Sequence, residues 1–139
     1  MKCRSSPFKN DIPLNMKRKI LFLILAVPLM SCQVSRHEYL ITDYGARDDG
    51  QTVCTPSIQQ AIDACHRAGG GRVTVPAGEF ITGTIILKSH VELHLQQGAS
   101  LTGSLDTADY RVDGQRRGML YAYQAKNITL SGEGEINGR

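Results

Sequence analysis

Tryptophan is absent from this chain, and aromatic residues make up only 6% of it. A long apolar run is missing as well. Residues 20–30 are eleven residues without a charge, too few to span a bilayer, and Pro28 would disturb a helix there. A basic surplus is also missing from most of the chain, although the net charge is +3. Residues 1–31 hold six Lys and Arg against one acid, which leaves ten basic and twelve acidic residues from Cys32 onward. Nothing there argues for a nucleic-acid partner. Constellations for catalysis or metal binding are sparse. His37, His66, His90 and His94 are scattered; His90 and His94 are four apart, but on a turn and an alternating strand, where helical metal-ligand spacing does not apply. His94, between Leu93 and Leu95, is expected to point out of the coil into solvent. No cofactor and no metal are expected.

What the chain does have is glycine, 14 residues of it, and a pattern written three times. Val73-Thr74-Val75 is followed, five residues on, by Ile81-Thr82-Gly83. Leu93-His94-Leu95 is followed in the same way by Leu101-Thr102-Gly103, and Ile128-Thr129-Leu130 by Ile136-Asn137-Gly138. An alternating apolar pair, a corner with glycine and a second short apolar element reads as strand, turn, strand. Repetition at this scale marks a solenoid, in which one coil cannot bury its own apolar face and must stack on the next. The first two copies are offset by 20 residues and the next two by 35. The extra length is largely residues 105–117, a polar insertion that must leave the solenoid as a loop. Its Arg111, Arg116 and Arg117 are candidates for a substrate loop, since guanidinium groups engage carboxylates of an acidic polymer. An ordinary solvated loop is the plainer reading.

The remaining segments fall around these repeats. Met16-Lys17-Arg18-Lys19, the apolar residues 20–30 and Ser31 make a secretory signal over residues 1–31, with Met16 an alternative start. A linker over residues 32–38 and a domain over residues 39–139 follow. Leu40–Thr42 is a candidate first strand, and Asp49-Gly50 a turn in which Asp bonds its own backbone. Thr55-Pro56 opens a helix, with Thr able to cap. Ile58, Ala61, Ile62 and Cys65 form its apolar stripe, Gln59, Gln60, Asp63, His66 and Arg67 its other face, and Gly69-Gly70-Gly71 its end. Directly before the first copy, it is expected to cap the open end of the first coil. Cys65 on the stripe reads as a packed thiol; a Cys54–Cys65 disulfide is the alternative in an oxidising compartment. Ile85-Ile86-Leu87 is a further strand, and residues 118–123 another. The last copy is expected to leave its apolar face open.

Several segments together resemble the start of the polygalacturonase-type glycoside hydrolases (family 28), which have the pectin lyase-like fold. They are Asp43-Tyr44-Gly45-Ala46, Asp49-Gly50-Gln51-Thr52, Ile58-Gln59-Gln60-Ala61-Ile62-Asp63, Gly69-Gly70-Gly71-Arg72-Val73 and Pro76-Ala77-Gly78. Leu87-Lys88-Ser89, Leu93-His94-Leu95, Leu120-Tyr121-Ala122-Tyr123 and Gly132-Glu133-Gly134-Glu135-Ile136-Asn137-Gly138 follow in the same order. Asn137 stands where the family usually has Asp. The resemblance implies an all-β, right-handed parallel β-helix, represented here by its N-terminal coils. It implies hydrolysis of pectic polysaccharide with inversion, by one carboxylic acid and carboxylate bases. The family's catalytic runs lie further along its helix than this chain reaches, so no catalytic residue is carried over, and the chain is expected to be an inactive fragment. A pectate-lyase-like enzyme using Ca²⁺, and a non-catalytic carbohydrate-binding or structural β-helix, are the alternatives.

Leu29-Met30-Ser31-Cys32 resembles a bacterial lipobox, which makes Cys32 the candidate lipid attachment site and a lipid anchor the expected membrane contact. The chain is expected in the cell envelope or secreted. Cys32→Ala is predicted to release the protein from the membrane fraction on cell fractionation. Unchanged membrane association would contradict the lipid anchor.

Overall fold

The computed structural model describes residues 37–139. The expected signal sequence, Met16, Cys32 and the expected linker up to residue 36 lie outside the described residues. Within them the strands run β1 (Glu38–Leu40), β2 (Asp49–Val53), β3 (Gly71–Val75), β4 (Gly78–Thr82), β5 (Ile85–Leu87), β6 (Val91–Leu95), β7 (Ala99–Gly103), β8 (Arg111–Val112), β9 (Gln115–Arg116), β10 (Leu120–Ala122), β11 (Thr129–Gly132) and β12 (Glu135–Asn137). One α-helix, α1 (Thr55–Arg67), stands between β2 and β3. Three parallel sheets result, in the orders β1-β3-β6-β11, β2-β4-β7-β12 and β5-β10. Each turn of chain gives one strand to each sheet in succession: β3, β4, β5, then β6, β7, β10, then β11, β12. This is a right-handed parallel β-helix, the hand that parallel crossovers take.

The register differs from the repeats as written, and the corners are the reason. Between the first two coils Val73 pairs with Leu93 and Val75 with Leu95, as the text of the repeats suggests. In the next sheet, however, Phe80 pairs with Leu101 and Ile81 with Thr102. The corner between β6 and β7 holds one residue more than that between β3 and β4, so the copies slip by one. Such a slip exchanges the faces of a strand. Phe80, not Ile81, therefore stands in line with Leu101, and both are fully buried in the core. The third coil is displaced again: Leu130, not Ile128, pairs with Leu93, while Ile136 keeps its place on Leu101. Its corner is shorter, with Gly132 at φ +105 and packed so closely on the Leu95 carbonyl that a Cβ would collide with it. Leu130 and Ile136 close these inward rows and are 49% and 42% exposed.

The helix forms where its stripe predicts, and Ile58, Ala61, Ile62 and Cys65 are all fully buried in the core. Its start differs. Cys54 occupies the N-cap and no side chain caps the helix. Thr55 is already helical, and its Oγ1 instead accepts the Gly83 N–H at 2.7 Å, tying the first turn to the corner after β4. Cys54 and Cys65 are both free buried thiols, so the disulfide does not form. Burial raises the pKa of each, which keeps them protonated and inert. The first strand also lies earlier than expected. β1 ends at Leu40, and residues Ile41–Tyr44 turn as a 3-10 helix closed by Gly45, driving Ile41 fully into the core. Asp49 and Gly50 fall within β2, where the pairing with β4 is irregular, rather than in a separate turn. Asp49 does bond its own backbone there: it accepts the N–H groups of Thr52 and Gln51 and the Thr52 hydroxyl, which hold its carboxyl down at about 2.

Candidate functional site

The polar side of α1 is a seam to the third sheet as much as a solvated face. Gln59, Asp63 and His66, at i, i+4 and i+7, meet β5 and the corner after it one residue after another. Gln59 Oε1 accepts the Ile86 N–H at 2.9 Å and its Nε2 donates to the Ile86 carbonyl at 3.1 Å. The side-chain amide thus satisfies both backbone groups of Ile86, as a neighbouring strand would, on a sheet that otherwise has only β10 beside β5. Asp63 takes Lys88 Nζ at 2.9 Å and Gln59 Nε2 at 3.0 Å. Burial pushes the Asp63 carboxyl up, but those hydrogen bonds and the charge of Lys88 outweigh it and the net shift is downward. His66 Nδ1 lies 3.0 Å from the Ser89 carbonyl. A carbonyl only accepts, so Nδ1 carries the proton and Nε2 is left as an acceptor when the ring is neutral.

This seam forms one wall of a groove of about 460 Å³. The floor is the outward side of the β5–β10 pair, where Ile86 stands opposite Tyr121. The far wall comes from the insertion. Its antiparallel β8–β9 hairpin brings Val112 and Asp113 to the groove, and Tyr123 and Gln124 close it beyond β10. The insertion leaves as a loop, yet it is tied down at both ends. Thr84 donates its N–H to the Asp109 carbonyl and Ile85 to the Met119 carbonyl. Asp109 approaches so closely that Gly83 has no room for a Cβ. Tyr110 donates its hydroxyl to the Ser104 carbonyl at 2.8 Å, and Ser104 also bonds the Asp109 carboxylate.

The three candidate arginines part company in this loop. Arg111 and Arg116 face each other across the hairpin, both exposed. Arg117 turns inward and lies over the Tyr121 ring, 4.8 Å from its centroid. None of the three lines the groove, whose cation is Lys88.

A second cluster lies on the outward side of β3, β6 and β11. Arg72 reaches Glu92 at 3.1 Å, Ser131 donates to Glu92 at 2.7 Å, and His94 Nδ1 sits 2.8 Å from Ser131 Oγ. His94 does point out of the coil, but it is half-buried and bonded rather than freely solvated. The trio looks like an activated serine and is not one. The Ser131 proton goes to Glu92, so His94 must donate to the hydroxyl and cannot be its base. Among the described residues no group of His, Cys, Asp and Glu is placed to hold a metal ion, and no helix is long and apolar enough to cross a membrane.

Sequence reasoning missed Lys88 and Tyr121 as groove residues. Ile85, Ile86 and Leu87 are all apolar, so the pattern of β5 does not tell which of its faces looks outward, and the fold-back of the hairpin left no signal either.

No protein-family model matches the chain. Over 70 residues, half of this chain, it is 56% identical to an exo-poly-alpha-D-galacturonosidase of Dickeya chrysanthemi. Over 119 residues, 73% of the chain, it is 34% identical to alginate lyase 7 of Azotobacter vinelandii. These matches span only 11% and 14% of the two relatives. Among solved structures, the family 28 exopolygalacturonase of Yersinia enterocolitica superposes with a TM-score of 0.69 at 35% identity, covering 74% of this chain and 21% of that one. The chain has the polygalacturonase-type, pectin lyase-like fold, over a part of the length of the proteins that share it.

Gln59→Leu is predicted to leave both backbone groups of Ile86 without partners and to cost about 1–3 kcal/mol in urea unfolding. The exposed neighbour Gln60→Leu should stay within about 0.5 kcal/mol. Equal effects of the two would contradict the strand-like role of Gln59.

Proposed function

We propose that the chain is part of a glycoside hydrolase that cuts pectic polysaccharide of the galacturonan type, with inversion and by carboxylate acid–base catalysis. The observation that carries this reading is the 56% identity to the exo-poly-alpha-D-galacturonosidase, which runs through half of the chain. The described residues contribute scaffold rather than chemistry. Inverting hydrolysis needs two carboxyl groups about 6.5–9.5 Å apart across the scissile bond. The groove holds one carboxylate, Asp113. On this reading the acid and base are not among the residues of this chain. Export by the signal sequence and anchoring through a lipid at Cys32 would place the enzyme in the cell envelope, where polysaccharide is met.

A second reading is favoured by one observation, the similarity to alginate lyase 7 over 73% of the chain. On that reading the enzyme would cleave a polyuronate by elimination. Both readings have an acidic polysaccharide as substrate.

Assays of new reducing ends on polygalacturonate are the direct test. The chain alone is predicted to give no turnover above buffer, and the product of the complete gene to release galacturonate. Turnover by the chain alone would contradict the assignment of the carboxylates to other sequence. An ultraviolet-absorbing unsaturated product from the complete gene product would replace hydrolysis by elimination.

A further inference from the structure

The groove beside α1 is built, not left over. Its volume of about 460 Å³ falls in the range of small-molecule sites, large enough for one or two sugar rings. Two features fix what it can hold. The first is Tyr121, on the floor, backed by the Arg117 guanidinium at 4.8 Å. A ring held in this way is a flat apolar platform whose position is already set, and a pyranose stacks its C–H face on such a surface. The second is Lys88, on the wall. Its ammonium group has three donors and gives one of them to Asp63, which orients the side chain. The other donors remain for a ligand, and their natural acceptor is a carboxylate. His66 Nε2, Gln124 and the Asp113 carboxylate on the far wall add groups able to bond sugar hydroxyls, which leaves Lys88 as the group for the sugar's own carboxylate.

We propose that this groove binds a uronate residue of an acidic polysaccharide, with its ring stacked on Tyr121 and its carboxylate on Lys88. The proposal rests on the reading of the protein as a polyuronate-acting enzyme and adds to it a binding site on these first coils. Arg117 and Asp63 are positioning residues, one for the ring and the other for the ammonium group. The groove lacks a paired acid and base, so it holds a sugar unit of the chain without cutting it.

The test is a nitrogen-15 NMR titration of the full chain with three disaccharides: digalacturonate, dimannuronate and neutral galactobiose. Digalacturonate is expected to shift the backbone signals of Ile86, Lys88, Tyr121 and Gln124 saturably, and galactobiose to bind about tenfold more weakly. Tyr121→Ala should weaken digalacturonate about tenfold. Lys88→Gln should remove the preference for the acid over galactobiose, and Lys88→Arg should keep it, each variant first shown to retain the parent spectrum outside the groove. Binding of dimannuronate in the groove without digalacturonate would uphold the uronate site and contradict the pectic reading. Absence of groove shifts with both acids, or equal affinity for galactobiose, would overturn the site and leave the pectic reading untouched.

Discussion

Every strand in the three parallel sheets finds its backbone partners on another turn of the chain, never on the strand next to it in sequence. Gly71 pairs with Val91 and Glu92 with Thr129, so a coil has no sheet hydrogen bonds until its neighbours are in place. Burial obeys the same constraint. Val73, Leu93 and Leu130 form one inward row, and Phe80, Leu101 and Ile136 another. Each fully buried member of such a row contributes about 1.5–3 kcal/mol of apolar burial. The members on the last coil stand half open and contribute less.

From this stacking the site follows. A coil can lengthen only where its extra residues can leave the stack, and the corner between β7 and β10 is where this chain does so. The insertion then bends back onto the previous coil through the Thr84 and Ile85 N–H groups, which raises a wall over the outward face of β5 and β10. Opposite it, α1 supplies the other wall because its polar residues are spaced to match β5 and the corner that follows. Gln59 closes the sheet edge and Asp63 sets Lys88, so the interaction that ends a sheet also aims a cation into the groove.

Much of this was legible in the residues. The stripe through Ile58, Ala61, Ile62 and Cys65, the apolar strand at Ile85 and the expulsion of residues 105–117 all follow from periodicity and polarity. The stacking of repeats was legible too, but not its register. Ile81-Thr82-Gly83 and Leu101-Thr102-Gly103 match as text, whereas a corner longer by one residue sets Phe80 on Leu101. Corner length is a backbone property that side-chain patterns do not report. Thr55 looked like a cap because its local role is common, and a tertiary donor, the Gly83 N–H, claimed it instead. The groove was the least visible part. Lys88 and Tyr121 are 33 positions apart and line one groove only because β5 and β10 pair across the insertion.

Native-state amide hydrogen exchange measures the stacking most directly, since protection is the free energy needed to expose each hydrogen bond. The slowest sheet amides are predicted in β3, β4, β6 and β7, which have paired strands on both sides, and to exchange together. Those of β11, β12 and residues 105–117 should exchange faster. Protection in β12 or in the insertion equal to that of β6 and β7 would contradict a structure held together coil upon coil.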